Sequence, residues 1–149
     1  MEKKFTKFTK YVLDLMFYGG FVVLITLPFS LKFIGKHYSY NMIEHYFLML
    51  IIFGSAGVFG IMIIRQLRKM MATVLEESCF VYENVKSLHM MAVLSLCISG
   101  LFILKMFLLA TPATAVIILV FFIAALFSEV LAHVFAQAVQ YKEENDFTI

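Results

Sequence analysis

The sequence predicts an all-α polytopic membrane protein: a four-transmembrane-helix antiparallel bundle with an amphipathic cytoplasmic connection. Three observations predict it. Four apolar stretches, at about 11–34, 42–64, 88–109 and 113–138, each hold about 20 or more residues. That length crosses a hydrocarbon core of about 30 Å at about 1.5 Å per helical residue. Charged residues make up only 15% of the chain, against about 25% in a soluble domain, and the mean hydropathy is +0.93. Finally, the links between stretches are short, which makes neighbouring helices antiparallel. Spans and links use nearly all 149 residues, so one domain over 1–149 is expected, with no separate extramembrane domain.

The first span follows Met1-Glu2-Lys3-Lys4-Phe5-Thr6-Lys7 and imitates a secretory signal. Its apolar run of about 24 residues exceeds the about 7–15 of a signal core, and no small-x-small site follows, so an uncleaved helix is expected. Asp14 stands one turn beyond Lys10 and is expected to pair with it near the headgroups. Pro28 is expected to kink this helix, and Gly19-Gly20 to serve packing. A short polar link, Gly35–Asn41, leads to the second span, with His37 and His45 on its flanks. Gly54, Gly57 and Gly60, together with Ala56, give that span small residues suited to close helix contact.

The second connection, about 65–87, is the one sizeable polar segment between spans. From Arg65 to Glu77, apolar residues recur at 67, 70, 71, 74 and 75, the spacing of an amphipathic helix. Basic residues open it and acidic ones close it, against the helix dipole. The conflict eases if the segment continues the second span, with Arg65, Arg68 and Lys69 at the headgroups. Ser78-Cys79-Phe80 interrupts the pattern, and Asn84 or Ser78 is expected to cap the helix that follows. Such a segment serves either as a lipid-anchored extension or as a docking platform for a cytosolic protein.

Lys105, near the far end of the third span, is expected to snorkel to the headgroups. Thr111-Pro112 makes a tight turn into the fourth. There Glu129 and His133 share a face at i, i+4, and Gln137 extends the stripe. If the span ends near Val139, Glu129 lies about 15 Å deep, close to the midplane. Ionisable groups in a span are costly; this pair is either an internal hydrogen-bond network or a relay or ligand contact.

Charge placement orients the chain. Nine of the twelve Lys and Arg residues (Lys3, Lys4, Lys7, Lys10, Arg65, Arg68, Lys69, Lys86 and Lys142) fall on one side. The positive-inside rule then puts both termini and the second connection in the cytoplasm. A net charge of +2 is too small to suggest direct nucleic-acid binding. Cys79 and Cys97 lie in no metal or redox motif, and no nucleophile motif or phosphate loop is present, so neither enzyme activity nor a cofactor or metal is expected.

Two segments carry a resemblance. Leu75-Glu76-Glu77, Phe80 and Glu83-Asn84-Val85-Lys86-Ser87-Leu88, with the ending Tyr141-Lys142-Glu143-Glu144-Asn145-Asp146-Phe147-Thr148-Ile149, are similar to the inner loop and acidic terminus of a bacterial family. This is the domain-of-unknown-function 2975 family of four-span membrane proteins. The chain departs from it at Phe147, where a Leu is usual, and at Ser78-Cys79, where a proline is common. The resemblance implies a bacterial cytoplasmic membrane and a partner, because such proteins are often encoded beside a very small helix-turn-helix regulator. The expected function is regulation or anchoring of that transcription factor. Its contacts would be Glu76, Glu77, Phe80, Glu83, Asn84, Lys86, Glu143, Glu144 and Asp146, with the acidic tail imitating phosphates toward a basic helix. Two alternatives stand beside it: an oligomeric transport or ion-permeation component using Glu129 and His133, and immunity against a membrane-active peptide.

Overall fold

The computed structural model describes residues 2–38 and 45–147, and these form four helices. They are α1 (Glu2–Tyr38), α2 (Tyr46–Leu75), α3 (Tyr82–Leu108) and α4 (Pro112–Phe147). All four are long and apolar enough to cross a membrane, so the chain is a multi-pass membrane protein in contact with the bilayer. The link expected at Gly35–Asn41 lies partly outside the described residues; α1 itself runs on through Tyr38, with Pro28 inside it.

Successive helices are antiparallel neighbours: α1 packs on α2, α2 on α3, and α3 on α4. Among the described residues α1 touches no helix but α2, and α4 none but α3. The bundle is therefore an open row. One end, called the terminal end below, holds the start of α1, the α2–α3 turn and the finish of α4.

Each seam follows from its residues. At the α1–α2 seam a Cβ on Gly20 would come 3.0 Å from the Ile61 side chain, and one on Gly57 would come 3.0 Å from that of Leu24. These two glycines let the backbones approach. Gly19, Gly54 and Gly60 have open space beside them, so the small-residue argument holds at two positions only. Asp14 pairs with Arg68 of α2, not with Lys10: Arg68 Nε donates to Asp14 Oδ1 at 2.7 Å. The guanidinium also lies over the Phe17 ring at 4.5 Å. Such a planar cation meets a carboxylate and an aromatic face at once, which an exposed Lys10 in the same helix cannot match.

Helix α3 is the most enclosed. Ser87, Ala92, Ser95 and Ser99 are buried on it, and small residues are buried on α4 as well: Thr114, Ala125, Ser128 and Ala132. Short side chains on both helices permit close contact, and Ser99 Oγ donates across the seam to the Ile118 carbonyl at 3.2 Å. Lys105 does not snorkel. It is 6% exposed, donates from Nζ to Thr114 Oγ1 at 2.6 Å and lies 5.7 Å from the centre of the Phe53 ring. A hydroxyl partner and an aromatic face inside the protein replace the headgroups. Thr111 Oγ1 accepts from the Thr114 N–H at 3.3 Å, and Pro112 follows it at the first helical position. This side-chain cap with its proline starts α4.

The amphipathic segment continues α2 to Leu75 without a break. The helix ends in a Schellman arrangement: the Ser78 N–H bonds the Thr73 carbonyl at 3.0 Å and the Glu77 N–H bonds that of Val74 at 3.1 Å. Glu77 takes the left-handed conformation, φ 60°, which disfavours a residue with a Cβ. Neither Asn84 nor Ser78 caps α3; the cap position is Val81, with no side-chain bond. Asn84 turns back instead. Its Nδ2 donates to Thr73 Oγ1 at 2.8 Å and to the Cys79 carbonyl at 2.6 Å, and the residue is 2% exposed.

Two substitutions in this turn are expected to act in opposite directions. Asn84→Ala removes both bonds from a buried site and lowers stability by about 1–3 kcal/mol. Glu77→Gly relieves the left-handed backbone and raises stability by about 1 kcal/mol or less, after the entropy glycine adds to the unfolded chain. Denaturant titration of both variants in detergent micelles, followed by circular dichroism, measures each shift.

Candidate functional site

Polar side chains gather toward the terminal end at a common level. Starting from the Leu109–Thr111 turn, about 20 helical residues span about 30 Å of hydrocarbon. That count reaches His89 on α3 and Ala132 on α4; the same count from Tyr46 on α2 reaches Gln66. The hydrogen bonds agree on this level, since Gln66 Nε2 donates to Met90 Sδ at 3.1 Å and His89 meets Glu129 at 2.8 Å. Beyond this level all four helices continue, and the Phe80 ring in the α2–α3 turn packs edge-on against Phe135 of α4 at 5.4 Å.

Two counts give Glu129 different depths. Helix α4 runs past Val139 to Phe147; counting inward from Val139 puts Glu129 about 15 Å deep, whereas counting from the Leu109–Thr111 turn puts it and its partner His89 near the level where about 30 Å of helix ends. Glu129 Oε2 bonds His89 Nδ1 at 2.8 Å, and Oε1 lies 3.5 Å from His133 Nε2. The side chains are 39%, 63% and 76% exposed for Glu129, His89 and His133. They border a groove of about 570 Å³ on the α3–α4 face. Sequence spacing supplied the Glu129–His133 pair, but not His89, which lies 40 residues away and carries no helical-spacing signal. Its one legible trait was its place at the start of the third apolar run, facing the fourth in an antiparallel pair. Among the described residues no three His, Cys, Asp or Glu side chains are disposed to hold a metal ion.

The expected partner contacts divide into four places. Glu76, Glu83, Asn84 and Lys86 come together around a second groove of about 630 Å³ between α2 and α3, with Lys69, Thr73 and Gln66. Glu76, Glu83 and Lys86 are exposed there. Asn84 is the exception: it is 2% exposed, its Nδ2 bonded to Thr73 and Cys79, and it shapes the groove floor. Glu77 faces the other way, 3.6 Å from Lys3 of α1, while Phe80 is 43% exposed against Phe135. Glu143, Glu144 and Asp146 stand apart from both grooves, exposed on the last turns of α4. The acidic tail is thus helical as far as Phe147. The two grooves share Lys86 and Met90, so they adjoin on one face of the row.

No curated protein and no solved structure matches the chain. One family model does match, over residues 27–149, a range that holds α2, α3, α4, the turn and the tail. The chain therefore belongs to the family described as "Protein of unknown function (DUF2975)".

Proposed function

We propose that this protein is a bacterial cytoplasmic-membrane protein with both termini in the cytosol. In this reading it anchors or regulates a small, basic helix-turn-helix transcription factor through its terminal end. The observation that carries the reading is the reach of α4. From Phe135, level with the α2–α3 turn, the helix runs 12 residues further to Phe147, about 18 Å at 1.5 Å per residue. Residues 140–147 are exposed. They carry three carboxylates (Glu143, Glu144, Asp146) against one lysine, beside exposed Tyr141 and Phe147.

A helix holds these charges in a set spacing, which favours recognition over a merely solvating tail. Carboxylates so arranged complement a basic recognition helix, steering it in and competing with the phosphates it otherwise binds. Aromatic side chains among them add apolar contact. Orientation rests on the nine basic residues gathered at this end, and the partner's kind on what the family resemblance implies.

Two measurements test the reading. Cys79 lies in the terminal-end turn and Cys97 within α3. In a Cys97→Ser background, a membrane-impermeant thiol reagent is expected to label Cys79 only after cell lysis; labelling in intact cells reverses the orientation. The second is co-purification in mild detergent with the helix-turn-helix protein encoded alongside. Glu143→Gln, Glu144→Gln and Asp146→Asn together are expected to weaken binding about tenfold or more at low salt, since each close charge pair contributes about 1.5 kcal/mol or more. Undiminished binding by the triple variant would discard the tail as the contact.

A further inference from the structure

The groove beside Glu129 has a chemistry of its own, separate from the tail. Glu129 faces Nδ1 of His89 and Nε2 of His133. With the carboxylate ionised, those two ring nitrogens carry the protons that point at it. In the neutral tautomers the outward nitrogens, Nε2 of His89 and Nδ1 of His133, are then acceptors. The carboxylate oxygens keep further lone pairs. The cluster therefore offers a guest acceptors and a negative charge. Lys86, one helical turn before His89, is the one Lys or Arg lining this groove among the described residues, its Nζ 5.3 Å from the centre of the Tyr82 ring. Met90, Val93 and Ala132 make the neighbouring wall apolar.

Location narrows the guest. Counting about 20 residues from the Leu109–Thr111 turn puts the cluster at the level of the hydrocarbon boundary on the terminal side, and no further helix covers the α3–α4 face among the described residues. Lipid headgroups occupy that level. We propose that the groove binds a phospholipid whose headgroup bears a primary amine. The ammonium donates to Glu129, His89 and His133, and the acyl chains follow Met90 and Val93. A primary ammonium has three N–H donors for this set of acceptors, whereas a trimethylammonium has none. A headgroup with phosphate and glycerol alone brings no cation to the carboxylate. A second copy docked on the same face would set one acceptor cluster against another.

Native mass spectrometry of the delipidated full chain in mild detergent tests this. The probes are equimolar dioleoyl phosphatidylethanolamine, phosphatidylcholine and phosphatidylglycerol. The wild type is expected to retain the ethanolamine lipid about tenfold more tightly than the choline lipid, as loss of a charge-assisted hydrogen bond implies. Glu129→Gln and, separately, His89→Phe are expected to bring that ratio close to one. Equal retention of choline and ethanolamine lipids by the wild type would overturn the proposal. So would a preference for the glycerol lipid, which marks a merely basic surface, or a homodimer that excludes lipid. The wild-type ratio needs no variant, so a misfolded substitution does not shelter the idea.

Discussion

Hydrocarbon offers no hydrogen-bond partners, and the rest of this structure follows from that constraint. Backbone groups satisfy one another within continuous helices, and polar side chains within the spans turn toward protein. Ser99 reaches the Ile118 carbonyl and Lys105 reaches Thr114, both across the α3–α4 seam. Small residues on both helices bring the partners near enough. Helix α3 consequently becomes the centre of an open row, while α1 hangs on α2 through Gly20, Gly57 and the Asp14–Arg68 pair.

A belt of side chains ties the helices together toward the terminal end. Asp14 with Arg68, Gln66 with Met90, and His89 with Glu129 each cross a different seam. Each helix contributes, so the row is pinned across all three seams, near the level a count of about 20 residues from the Leu109–Thr111 turn gives for one hydrocarbon boundary. Beyond the belt, Asn84 joins the last turn of α2, the linker and the first turn of α3 into one unit. The helices continue past the belt as a short platform. Function is proposed at both parts: a headgroup site on the belt, and a protein contact on the platform and on the end of α4.

Parts of this were legible from residue order. Apolar run lengths predicted four spans, and the heptad-like recurrence at 67, 70, 71, 74 and 75 foresaw the extension of α2. The i, i+4 relation of Glu129 and His133 foresaw one edge of the cluster. Other readings failed for a shared reason. Pairing Asp14 with Lys10 and sending Lys105 to the headgroups both treated a helix in isolation. In each case the deciding partner, Arg68 or Thr114, belongs to a neighbouring helix.

Sequence alone determined the class of solvent the chain lives in, the number of crossings and which ends lie together, because these depend on apolar length and on the alternation of helix direction. Tertiary structure decided the depth, company and exposure of each polar group. Those properties depend on which face of a helix meets its neighbour and at what axial offset, and single-helix periodicity carries no record of either. Asn84 illustrates the division: its place in a distinctive motif was visible in the chain, but only the folded turn showed that its amide is held inside.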